Sequence, residues 1–269
     1  MWWNGGLAKK FINRVYLNIE VEMKHEFKFV EMQKTSLGGY TLIEGFPGMG
    51  LVGTIAAKYL VEKMDFDYVG YIDSDIFLPV VRIHEGLPVR PARIYANRAK
   101  KVAVLISEQV ISKPFTYLVA KGTANWIEAK GISELISLSG VHAGDGEQNE
   151  IIYGIAANEK SRALLKEYKL TEIGEGITTG ITALILLELR NSKVRAISIL
   201  GNVQLSADYK ASAEVLKKLN EILGLNLNVE PLLEEARETE KQLISQLQKQ
   251  QQTKDASEKF EAKTPPLIT

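Results

Sequence analysis

The sequence predicts an α/β domain built on a largely parallel sheet. From Tyr40 onward, strand-like apolar runs alternate with helix-like segments, and a glycine-rich turn, EGFPGMGLVG (44–53), joins the first strong strand to the first helix. Composition agrees with this reading. At 269 residues, 45% hydrophobic and 25% charged, the chain can bury one sizeable core, so a single main domain is the default.

The first strand, YTLIE (40–44), is a short aromatic and β-branched run of the kind that fills a buried strand. LVGTIAAKYLVEK (51–63) follows as a helix rich in alanine and leucine. YVGYID (68–73), FLPVVRI (77–83), ARIYAN (92–97) and KVAVLIS (101–107) read as the next four strands. Between the second and third of these, HEGLPVRP carries one glycine and two prolines, which marks the strands around Pro79 and Arg93 as a hairpin or an edge excursion. Helix 115–130, strands ELISLSG (134–140) and IIYGIAA (151–157), helices 158–168 and 178–190, and strand VRAISIL (194–200) continue the alternation. The last core helix is DYKASAEVLKKLNEIL (208–223). Asp208 is placed to cap it, Val215, Leu216, Leu219, Ile222 and Leu223 share one face, and Gly224 occupies the left-handed C-cap.

Four segments follow: an N-terminal extension (1–34), the core (35–227), a C-terminal helix (228–250) and a flexible tail (251–269). Met23 and Met32 offer later starts, so residues 1–22 read either as an upstream mis-start or as an amphipathic extension. In the C-terminal helix Pro231 suits the first turn, and Leu233, Ala236, Glu240, Leu243 and Leu247 form a seam with one polar position. That seam either folds back on its own domain or contacts another subunit. The tail is polar and proline-containing.

Charge and cysteine usage narrow the function. Lys+Arg and Asp+Glu both number 33, which gives no general electrostatic reason to expect nucleic acid or an anionic membrane as partner. The absence of cysteine excludes thiol nucleophiles, thiolate metal sites and disulfides. With no apolar run of signal-peptide or membrane-spanning length, the expected location is cytoplasmic.

The glycine stretch holds two overlapping phosphate motifs. Gly48-x-Gly50-x-x-Gly53 matches a dinucleotide fingerprint, with Asp73 twenty residues on where a ribose-binding acid belongs, but Gly45-Phe46-Pro47 lengthen the loop and Pro47 lacks an amide donor. Gly45-x4-Gly50 has Walker spacing, yet Leu51-Val52 replace the lysine and hydroxyl that the chemistry needs. A structural reading stands beside the anion-site reading: the glycines permit positive φ and let the helix approach the sheet. Asp73-Ser74-Asp75 is turn chemistry more readily than a metal site, so no metal is expected. Of the three histidines, His25, His84 and His142, the last stands at a strand end, where Ser107-Glu108 could meet it at the carboxyl edge of a parallel sheet. No G-x-S-x-G, H-E-x-x-H or paired-acid spacing is present, so an enzyme is not indicated.

GYTLIEGFPGMGLVGTIAAKYLVE, YVGYIDSDIFLPVVRIHEGLP, RIYAN, VAVLISEQ, TEIGEGITTGITALILLE and DYKASAEVLKKLNEILGL together resemble the archaeal members of the proteasome assembly chaperone family, over roughly Leu37 to Leu227. The resemblance implies a three-layer αβα fold similar to purine nucleoside phosphorylases without their catalytic residues. It further implies homo-oligomers, no cofactor and no ATP, and proteasome α-subunits as partners. Some family members carry a C-terminal hydrophobic-Tyr-any-residue tail that enters the α-ring. Here the chain ends Leu267-Ile268-Thr269, so the resemblance makes these the partner-binding residues, with isoleucine in place of the tyrosine and no phenol hydrogen bond. Pro265 and Pro266 would hold the preceding segment extended.

Overall fold

The computed structural model describes residues 25–32, 35–143 and 151–232, together with Glu234 and Ser245. Residues 1–22, all five seam residues of the C-terminal helix (Leu233, Ala236, Glu240, Leu243 and Leu247) and the tail with Leu267, Ile268 and Thr269 lie outside the described residues.

The strands are β1 (Phe27–Glu31), β2 (Thr41–Gly45), β3 (Asp67–Ser74), β4 (Arg82–His84), β5 (Leu87–Val89), β6 (Ala92–Asn97), β7 (Val102–Ser107), β8 (Glu134–Val141), β9 (Ile152–Ala156), β10 (Thr171–Glu172) and β11 (Arg195–Asn202). The helices are α1 (Val52–Lys63), α2 (Thr116–Ala129), α3 (Glu159–Glu167), α4 (Ile181–Glu188) and α5 (Tyr209–Leu223). Nine strands form one sheet in the order β1-β3-β6-β7-β2-β8-β11-β9-β10. Its centre, β7-β2-β8-β11, is parallel, and β6, β3 and β1 on one side and β9 on the other join it antiparallel.

Burial on both faces explains why the central strands are continuous apolar runs. Ile43, Val104, Ile136 and Ile197 face α1, α3 and α5, while Leu42, Leu105, Leu135 and Ala196 face α2 and α4. Alternate residues of each strand thus feed two cores, and the three-layer expectation is met.

Helix α5 forms as its sequence requires. Asp208 accepts from the Ala211 amide at 2.8 Å, and Gly224 closes the helix at φ 57°. Beyond it, Leu227, Val229 and Leu232 pack on the α1/α5 core, and the Tyr59 hydroxyl donates to the Asn228 carbonyl at 2.8 Å.

The segment read as a strand at 77–83 departs from expectation. Only Arg82–His84 is extended, and it pairs with β5 in a separate two-stranded hairpin, so the hairpin partners are 82–84 and 87–89. Pro79 lacks a donor and the Val80 amide turns back to Leu78, which stops a strand from starting earlier. Glu85 and Gly86, both at positive φ, supply the tight turn. Strand β6 instead returns to the main sheet between β3 and β7. Edge strand β1 comes from the segment read as an extension.

Candidate functional site

Close packing explains most of the glycine turn. A Cβ on Gly45 would lie 2.5 Å from the Gly53 carbonyl oxygen, and one on Gly53 would lie 2.2 Å from that of Leu138. The glycines therefore let α1 lie directly on β2 and β8. Gly50 and Leu51 are both left-handed, at φ 62° and 53°, and the Gly50 carbonyl accepts from the Asp208 amide at 2.9 Å. The turn is thereby tied to the loop that enters α5.

Two amides of the turn are engaged within the chain. The Phe46 amide donates to Glu44 Oε1 at 2.8 Å, and Pro47 has no amide to offer. The Leu51 amide is bound to the Gly48 carbonyl at 3.0 Å. Glu44 is fully buried and also receives the Thr182 hydroxyl from the start of α4, at 3.1 and 3.4 Å to its two oxygens. Burial pushes its carboxyl above the usual glutamate range, against the opposing pull of Ser137, the Phe46 amide and Thr182. Glu44 is the residue that motif reading missed. Its signal was an acid at the end of an apolar strand, immediately before the glycines.

Asp73 does not approach the glycines. Its strand stands three positions from β2 in the sheet, and its carboxylate pairs with Arg90 at 2.7 Å on the surface. The dinucleotide fingerprint needs the acid on the strand next to the glycine loop, and here β7 and β8 fill both neighbouring places. Asp75 pairs with His25 at 3.1 Å, and among the described residues no three His, Asp or Glu groups are placed to hold a metal.

Ser107-Glu108 and His142 also stay apart, because β2 separates their strands. The Ser107 hydroxyl donates to the Gln109 carbonyl, and Glu108 turns towards the hairpin, where it binds Arg82 at 2.6 Å and Arg93 at 3.1 Å, all largely buried. His84 is exposed on that hairpin.

A cavity of about 690 Å³ does open at the carboxyl edge of the parallel strands. Its walls are Pro47–Met49, residues 139–143 at the end of β8 and just beyond it, Tyr153 and Ile155 of β9, and the glycine-rich run 172–182 that leads into α4. His142 lies in the wall with Nδ1 against the Val203 carbonyl at 3.2 Å, which places a donor proton on Nδ1 and leaves Nε2 as an acceptor in the neutral ring. The volume is that of a small-molecule pocket.

The family model of the PAC2 family matches residues 42–247, three quarters of the chain and every element from β2 to α5. The chain belongs to the PAC2 family. An uncharacterised protein of Methanocaldococcus jannaschii is 33% identical over 223 residues, covering 82% of this chain and 91% of its own. Among solved structures, Pyrococcus furiosus PbaA, an archaeal homolog of proteasome-assembly chaperone, superposes with a TM-score of 0.76 at 30% identity, covering 85% of this chain and 100% of that one. PbaB from the same organism, an archaeal proteasome activator, shares the fold at TM-score 0.67 and 22% identity, over 82% of this chain and 98% of its own. This PAC2 chain has a mixed sheet, parallel at its centre and covered by helices on both faces, and its glycine turn lets α1 pack directly against β2 and β8.

Proposed function

We propose that the protein is an ATP-independent, non-enzymatic proteasome assembly chaperone that binds proteasome α-subunits as a homo-oligomer in the cytoplasm. The observation that carries this reading is the likeness to PbaA, a homolog of proteasome-assembly chaperone, over the whole of that chain. Among the described residues no helix is long and apolar enough to cross a membrane. The filled Glu44 position argues in the same direction, because it takes from the glycine turn the Phe46 amide that a nucleotide phosphate would need.

Leu267, Ile268 and Thr269 are the proposed contact with the α-ring. Apolar burial and the terminal carboxylate supply the attraction, and the preceding polar segment supplies reach. Native mass spectrometry of the full chain and of residues 1–249, each mixed with archaeal proteasome α-subunits, tests the reading. The full chain is expected to form a complex that the truncation forms weakly or not at all. Failure of both to bind removes the α-subunit partner, and equal binding by both moves the contact from the tail to the domain.

A further inference from the structure

Several glycines at or near the carboxyl-edge cavity have a local reason to be glycine: a Cβ on Gly45, Gly50, Gly53 or Gly140 would meet another atom at 2.7 Å or less, and Gly180 is at φ 93°. In the wall itself Gly48 would meet only Ser139 Oγ, at 3.4 Å, and Gly174 and Gly176 are freer still. A Cβ on Gly174 would meet nothing within 4 Å, one on Gly176 would meet only Ile173 Cγ2 at 3.6 Å, and neither residue has a positive φ. Neither crowding nor backbone conformation accounts for glycine there, and what these positions provide is open backbone beside a cavity, the arrangement that lets a ligand approach closely.

The wall chemistry selects among ligands. No Lys or Arg lines the cavity among the described residues, whereas Glu172 and Glu175 do. Glu172 is already held by Arg162 at 2.6 Å, and Glu175, exposed at the cavity wall, has no paired cation among the described residues. Ser139, Thr178 and Thr179 add hydroxyl oxygens, and His142 adds an acceptor nitrogen when neutral. Met49, Tyr153, Ile155 and Leu200 give the apolar surface, and Ile177 stands 96% exposed in the same wall. Two carboxylates and no Lys or Arg among the described wall residues favour a cation over phosphate, while the hydroxyls can serve either.

We propose that this cavity binds a small organic cation, an ammonium group carried on an apolar body. Glu175 and the hydroxyls receive the ammonium, and the apolar wall receives the body. The site is independent of the tail and of proteasome binding.

Hexylamine, hexanol and hexanoate, which share one apolar body under a positive, a neutral and a negative head, are the probes. Calorimetry and ligand-observed NMR on the full chain should give the order hexylamine, hexanol, hexanoate from tightest to weakest. Glu175→Gln should weaken hexylamine by roughly twofold to fivefold, the strength of an exposed ion pair, and leave hexanol unchanged. The proposal is overturned if hexanoate binds as tightly as hexylamine, if Glu175→Gln has no effect on hexylamine, or if none of the three binds at about 10 mM.

Discussion

Glu44 is fully buried, and its carboxyl accepts from the Phe46 amide and the Thr182 hydroxyl. Two substitutions separate its hydrogen bonds from its charge. Glu44→Ala leaves the Phe46 amide and the Thr182 hydroxyl without that acceptor and should cost about 1–3 kcal/mol for each donor that stays dry. Glu44→Gln keeps an acceptor and removes the ionisation. Because burial raises the folded-state carboxyl above its unfolded value, the stabilising contribution is fully present below the unfolded value, about 4.3, and is lost as pH rises through the folded one. Urea denaturation from acid to neutral pH should therefore show the wild type losing stability relative to Glu44→Gln with rising pH, and parallel curves would disprove the buried ionisation. At the glycines the contrast is steric. Gly53→Ala forces a methyl onto the Leu138 carbonyl and should cost about 1–3 kcal/mol or more, while Gly174→Ala should stay within about 0.5 kcal/mol, both read by the same denaturation.

Among the elements, the β4–β5 hairpin and helix α5 differ in how they are held. A lone two-stranded hairpin is marginal in water, and this one exposes Val81, Ile83 and Leu87. The Arg82–Glu108–Arg93 cluster anchors it to the end of β7. Glu108→Ala would leave two largely buried guanidinium groups without their shared carboxylate, so a loss of about 3–5 kcal/mol is expected, with faster hydrogen exchange over residues 82–89. Unchanged exchange there would mean that the hairpin holds by itself. In α5, Asp208 accepts from Gln204, Leu205 and Ala211 amides, and Asp208→Ala should cost about 2 kcal/mol, at the upper end for a cap. The cap of α5 was legible because cap, apolar face and terminal glycine are neighbours in sequence. The hairpin anchor was not, since Arg82 and Glu108 are brought together only by the return of β6 to the sheet.

Across the whole molecule, the sheet order decides which sequence motifs become sites. Calorimetry with NAD, ATP and phosphate should show no submillimolar binding, and such binding by any of them would restore the glycine turn as a ligand loop. Local sequence determined a great deal: alternation of strands and helices, continuous apolar runs for a doubly covered sheet, the caps of α5, and enough ordered blocks to point to the family. These features depend on backbone propensity and side-chain periodicity over a few residues, which act before any long-range contact forms. Tertiary structure alone decided that β7 and β8 flank β2, which sends Asp73 three strands away, turns Glu108 towards the hairpin, and places Glu44 under the first turn of α4. It alone brought the 139–143 and 172–182 segments together around a cavity. Strand neighbours are chosen by burial and crossover geometry over tens of residues, and spacing along the chain carries no record of that choice.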